Sequence, residues 1–194
     1  MNPSTRRALN WAVPILVLLG IVAFVLQGAD GPANPSFRLV PTGGTTDTTT
    51  VVRTRLSGFG EITFRIDTTG VLFGAGSVSA ARCALLAATV QQQNQGLMGR
   101  TDLSGYDGML FRFDHDTQGA FYMKDTLIPL SIAWFDADGD FVSTTDMPPC
   151  GDQSPCPTYT AEAAYRYALE VAQGDLPSLG IGPGTRLMVG EETC

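Results

Sequence analysis

The residues best equipped for chemistry lie between Arg112 and Asp125, in the run RFDHDTQGAFYMKD. His115, the only histidine, stands between Asp114 and Asp116. An imidazole flanked by carboxylates is biased toward its protonated form and can shuttle protons near neutrality. The same trio also suits a solvated hairpin loop over Asp114–Gly119, and this plainer account is preferred. Lys124 and Asp125 can pair or line a ligand surface. As an exposed pair at a strand end they contribute under about 1 kcal/mol. Arg112, His115, Tyr122, Lys124 and Asp125 therefore form a candidate ligand-binding set, and no residue is assigned as catalytic.

Other chemistry is sparse. There is no G-x-S-x-G elbow, no phosphate-binding Walker loop and no dinucleotide fingerprint. Asp136-Ala-Asp-Gly-Asp140 resembles the start of a calcium loop, but Gly139 falls at the fourth position and no glutamate closes the frame. A tight turn explains it better. The four cysteines, Cys83, Cys150, Cys156 and Cys194, lack C-x-x-C spacing and a partner histidine pair, so zinc is not expected. No cofactor is implied. Cys150 and Cys156 bracket a Gly/Pro loop and are expected to pair, which leaves Cys83 with Cys194. A loop that long contributes about 4–5 kcal/mol in the chain-entropy model. A net charge of −7 and the lack of any Lys/Arg cluster beyond Arg6-Arg7 argue against a nucleic-acid partner.

Three regions carry these residues. Residues 1–27 hold Arg6 and Arg7 and then an unbroken apolar run of 16 residues, Trp11–Leu26. A spanning helix needs about 17–25 residues, which flanking interfacial positions supply. The positive flank keeps Arg6 and Arg7 cytoplasmic and sends the remainder outside. A single N-terminal transmembrane anchor is favoured over a cleaved signal peptide, since no clean small-residue cleavage site follows Leu26. Residues 28–50 are rich in Gly, Pro and Thr and form a flexible spacer reaching roughly 25–30 Å. Residues 51–194 form the folded domain, whose oxidising surroundings suit disulfides.

With 22 Gly and 12 Pro in 194 residues, short elements joined by turns are expected in this domain rather than long helices. Strands are expected over Val51–Leu56, Glu61–Ile66 and Ala81–Ala87, with Val71–Phe73 extending the layer. Three more follow, at Met109–Phe113, Phe121–Lys124 and Leu127–Phe135, as a consecutive antiparallel set. Phe141–Thr145 pairs back across the Asp136–Asp140 turn. Tyr165–Val171 alternates strictly and is expected as a strand, as is Thr185–Val189. Thr89 and Gln92 form a capping box for a short helix that Gly96 stops. Asp175–Leu179 makes one helical turn. The fold class is therefore mainly β (α+β), a compact antiparallel sheet or barrel-like domain with one or two short helices.

Five motifs go further: Gln95-Gly-Leu-Met-Gly99, Gly108-Met-Leu-Phe111, Phe121-Tyr-Met-Lys-Asp-Thr126, Ile128-Pro-Leu130 and Tyr167-Ala-Leu-Glu-Val171. In their order and spacing they resemble the domain of unknown function family 192, also called uncharacterised protein family 0127, over residues 82–189. The resemblance implies a compact, mostly β domain, often exported or membrane-tethered, with no established activity to carry over. The family commonly has tryptophan at Tyr122, asparagine at Asp125 and aspartate at Ser131. The last departure leans away from an enzyme.

The expected role is a membrane-anchored extracytoplasmic binding or structural module of the cell envelope, with a small-molecule, glycan or envelope-protein ligand. The alternative is an envelope enzyme, such as a hydrolase, using Asp114, His115 and Asp116 or Lys124 and Asp125. Removing residues 1–50 is expected to leave a soluble, disulfide-bonded domain. Circular dichroism and thiol titration of that fragment check this, and an insoluble or unfolded product would refute the architecture.

Overall fold

The computed structural model describes residues 52–71, 76–151 and 153–194. The expected membrane span and spacer lie outside the described residues. Among the described residues no helix is long and apolar enough to cross a membrane.

The domain is mainly β. Its strands are β1 (Gly60–Asp67), β2 (Arg82–Ala87), β3 (Gly108–Thr117), β4 (Phe121–Tyr122), β5 (Leu130–Phe135), β6 (Phe141–Met147), β7 (Thr158–Tyr159), β8 (Tyr165–Ala172) and β9 (Arg186–Val189), with one helix, α1 (Val90–Gln95). Seven strands build one sheet in the order β6-β5-β8-β3-β2-β1-β9, and β4 pairs with β7 apart from it. β2 and β3 run parallel, while the other pairs are antiparallel. The expected antiparallel sheet is corrected at this one pair. Parallel neighbours need a crossover of a dozen or more residues, and residues 88–107 with α1 supply it.

Strand alternation sorts the apolar side chains into two cores, one on each face. Ile62, Phe64, Ala84, Leu86, Leu110, Phe135, Leu169 and Val171 fill the concave face, closed by Leu176, Leu179 and Ile181. Cys83, Leu85, Met109, Phe111, Ile132, Trp134 and Ala168 pack on the other face. α1 and the β4 segment lie over that second core. The helix has the expected cap: Thr89 accepts from the Gln92 backbone and the Gln92 side chain returns to Thr89. Gln93 Nε2 donates to the Arg112 carbonyl at 2.9 Å, tying α1 to β3.

The sheet curls into a half-barrel whose edge strands meet at one end. There the Leu187 amide donates to the Gly139 carbonyl at 2.7 Å and the Phe141 amide to the Thr185 carbonyl at 3.0 Å. Arg186 Nε bonds Asp140 Oδ1 at 2.7 Å across the same junction. The Asp136–Asp140 turn is the expected tight one, with Asp136 Oδ1 accepting the Asp138 and Asp140 amides. Both expected disulfides are formed, Cys83–Cys194 and Cys150–Cys156, with Cα separations of 5.8 and 5.6 Å.

Three local expectations change. Residues 52–56 form no strand, because both edges of β1 are taken by β2 and β9. Val71 lies outside any strand, and positions 72 and 73 are outside the described residues. Asp114–Thr117 is not a hairpin loop but the end of β3, which pairs with β2 and β8 and leaves β4 to β7.

Gly139 has φ +83°, and a Cβ there would overlap the Leu187 carbonyl oxygen. Gly174 has a similar φ of +88° with open space around it. Gly174→Ala is expected to cost about 1 kcal/mol for backbone strain alone. Gly139→Ala should cost at least roughly 2 kcal/mol more, because it also pries the closed edge apart. Urea unfolding of the two variants side by side measures the difference.

Candidate functional site

The site begins with one acid on an apolar strand. β8 lies between β5 and β3, and Leu169 and Val171 point to the concave core. Alternation therefore sends Glu170 to the opposite face, level with Met109 of β3 and Ile132 of β5. Glu170 is 5% exposed. Among the described residues no donor reaches its carboxyl and no cation pairs with it. Burial pushes its pKa up to about 8. A carboxyl with no protein partner and little contact with water loses most of its hydration without compensation, so its neutral form is favoured.

A cavity of about 170 Å³ opens on this carboxyl. Gln93, Asn94 and Gln95 of α1 form one wall, Phe113 of β3 and Tyr165 of β8 another, and Ala120, Phe121 and Tyr122 the third. The rings support one another: Phe113 and Phe121 lie 5.5 and 6.2 Å from Tyr165, centroid to centroid. The Tyr165 hydroxyl donates to the Gly119 carbonyl at 2.8 Å, and burial pushes its pKa up to about 12. This bond fixes the loop before β4, and with it the position of Phe121.

The residues singled out from the sequence do not converge. Tyr122 borders the cavity. Arg112 bonds Glu192 at 2.7 Å, and only its backbone carbonyl meets α1. Asp114, His115 and Asp116 are exposed along β3, with Asp116 held by Arg166 at 2.9 Å. Lys124 and Asp125 are exposed in the turn after β4, with Asp125 at φ +54°. None of these six lines the cavity. Ser131 is buried, donating to Asp146 Oδ1 at 2.5 Å and accepting the Gly174 amide at 3.0 Å, which makes it a structural link between β5 and β6. Among the described residues no group of three or more His, Cys, Asp or Glu is arranged to hold a metal.

The residue that sequence reasoning missed is Glu170. Its signal was present: a single acid inside Ala168-Leu-Glu-Val171, where every neighbour reads as buried. Arg112 and His115 drew notice for their chemistry, whereas Glu170 is notable for its surroundings.

These features define a class: a small mainly β half-barrel domain with one partnerless acid under an aromatic-walled cavity. The chain belongs to the DUF192 family, described as Uncharacterized ACR, whose model matches residues 74–189. A crystal structure from Sinorhizobium meliloti 1021, described as a candidate transcription regulator, is similar at 26% identity and TM-score 0.58, covering 70% of this chain and 98% of that one. A protein of unknown function from Novosphingobium aromaticivorans DSM 12444 shares the fold at 24% identity and TM-score 0.57, covering 70% and 90%. No curated protein matches the chain.

The raised pKa of Glu170 has a definite sign. The folded state holds this proton up to about pH 8, whereas the unfolded chain releases it near 4.5. Between those values the folded state binds more protons, so its contribution to stability is lost as pH rises through the window. Glu170→Gln is expected to remove that slope. The variant should exceed the native chain in stability above pH 8 by about 2–5 kcal/mol. Urea titrations from pH 5 to 9 check it, and parallel slopes for the two proteins would count against the assignment.

Proposed function

We propose that this protein is a membrane-anchored module that holds its folded domain outside the cytoplasm and binds a small molecule over Glu170. One observation carries the binding part: a carboxyl buried on a cavity wall with no partner among the described residues. An unsatisfied buried polar group costs about 1–3 kcal/mol, more when charged. A ligand that supplies the missing partner offsets that cost and gains affinity from it. The cavity volume of about 170 Å³ suits a small molecule or the terminal group of a larger one, since a void of roughly 150 Å³ accommodates a benzene ring.

The anchoring part is supported by Arg6 and Arg7 ahead of the Trp11–Leu26 run and by the two disulfides, which persist in oxidising compartments. The alternative envelope enzyme finds little to use. His115 and its flanking acids are exposed, and the cavity offers one carboxyl without the second acid or base that most proton-transfer reactions need. The description carried by the S. meliloti structure is not extended to this chain. The net charge is −7, and Arg55, Arg82, Arg112, Arg166 and Arg186 are each engaged in an ion pair.

A small-fragment screen by ligand-detected NMR on the full chain in non-ionic detergent tests the reading. At least one fragment is expected to bind the native protein and to raise its melting temperature. Ala120→Trp, an exposed position on the cavity wall, should abolish that binding while changing unliganded stability by under about 1 kcal/mol. Undiminished binding by this variant would place the ligand elsewhere.

A further inference from the structure

Most polar groups deep in the Glu170 cavity are left with acceptors facing no donor. Gln93 commits its Nε2 to the Arg112 carbonyl, leaving its oxygen free. Tyr165 commits its only proton to Gly119, leaving oxygen lone pairs. Thr126, also on the wall, commits its hydroxyl proton to the Lys124 carbonyl at 3.3 Å. Glu170 adds two more acceptor oxygens once its proton has left. The interior is therefore rich in acceptors and poor in donors, and the free amides of Asn94 and Gln95 and the Tyr122 hydroxyl stand at the exposed rim. Among the described residues no Lys, Arg or His lines the space. Once Glu170 is ionised, a ligand carboxylate or phosphate would meet a like-charged group and no counter-charge from the described residues.

Resting on the binding reading above, we propose that the ligand is a small organic cation, an ammonium head held between the Glu170 carboxylate and the rings of Phe113, Phe121 and Tyr165. The ring faces attract a cation through their quadrupoles, and the effect strengthens away from water. The carboxylate supplies the charge that the rings lack. A net charge of −7 raises the local concentration of cations around the domain. The volume of about 170 Å³ admits a methylated or primary ammonium head rather than a long polyamine. An ammonium without an attached phosphate is favoured over a phosphocholine head, because the adjoining phosphate would find no basic group among the described residues of the cavity.

Binding of such a cation is coupled to a proton. The titratable groups around Glu170 are Tyr165 on its own strand and Tyr122 from the β4 segment. β3, β5 and α1 present Met109, Phe113, Ile132 and the amides Gln93–Gln95, none of which titrates. Glu170 is the only carboxyl in the set, and its proton leaves as the cation enters. Affinity for a cation should therefore rise with pH up to about 8 and then level off.

The test is calorimetric titration of the full chain in non-ionic detergent with tetramethylammonium and choline. Phosphocholine, tert-butanol and acetate serve as comparison probes. The cations are expected to bind about tenfold tighter per pH unit between pH 6 and 7, with about one proton released. Phosphocholine should bind at least roughly tenfold more weakly than choline, given the missing counter-charge. Glu170→Gln should lose the pH dependence and at least about tenfold in affinity at pH 8.5. Phe113→Leu, which leaves Glu170 in place, should weaken tetramethylammonium by about three- to tenfold without changing tert-butanol. Affinity that falls with rising pH, or tert-butanol or acetate binding as well as the cations, would overturn the cation while leaving the binding reading standing. Failure of all five probes would overturn it too, and a fragment screen that also found nothing would bring down the binding reading with it.

Discussion

A strand buried on both faces cannot hide a polar side chain by turning it outward. β8 is such a strand, with β5 and β3 at its edges, the concave core on one face and the α1 side on the other. Its edges are committed to backbone pairing and its faces to apolar contacts. A carboxyl placed there must find a partner, lose its charge or border a void. Glu170 meets no partner among the described residues, and it takes the other two courses, with a pKa pushed to about 8 and a cavity beside it. Much of the site follows from that placement. The position of α1, the ring cluster and the loop held by Tyr165 are what keep the void from collapsing onto the acid.

The connections between strands make this arrangement possible. Parallel pairing of β2 with β3 forces a crossover, and the crossover brings α1 over the face that Glu170 shares. Because β3 is flanked by β2 and β8, the chain after Thr117 has no vacant edge to join. It instead forms a small separate ribbon with β7, and this delivers Phe121 and Tyr122 to the cavity. At the far end the edge strands close on each other through Gly139 and Leu187, so neither edge lies open along its whole length. Cys83–Cys194 then ties the C-terminus to β2. The wall of the cavity is thus a by-product of how the half-barrel satisfies its own backbone.

What could be read from the sequence was local. Alternation located Glu61–Ile66, Phe141–Thr145 and Tyr165–Val171, and cap chemistry located α1, because each depends on neighbours within a few residues. The cysteine pairing followed from spacing. The errors were all non-local. Asp114–Gly119 has the composition of a hairpin loop, and only the competition of β2 and β8 for β3 turns Asp114–Thr117 into strand. Alternation would place Tyr165 with Tyr167, Leu169 and Val171, yet it joins the other core. The register of β8 against β3 shifts between Arg112 and Thr117, with the extra residues on β3, so regular pairing has already ended where Tyr165 sits.

The candidate site was illegible for a related reason. Histidines, lysines and charged triplets attract attention because their side chains can react, but exposure lets water solvate them and dulls that chemistry. Glu170 looks inert on paper, one acid in an apolar strand, and becomes consequential only when two neighbouring strands and a helix remove its water. Stability alone would favour an apolar side chain beside Met109 and Ile132, since replacing a buried, unpaired polar group by one of matching shape is neutral or stabilising. An acid held at that position is therefore more readily understood through what it meets from outside the chain than through what it contributes within it. The same logic orders the surrounding residues. Tyr165 holds Gly119 and offers a ring, and Gln93 holds β3 and leaves an oxygen, so each spends its proton on the fold and keeps an acceptor free on the cavity wall.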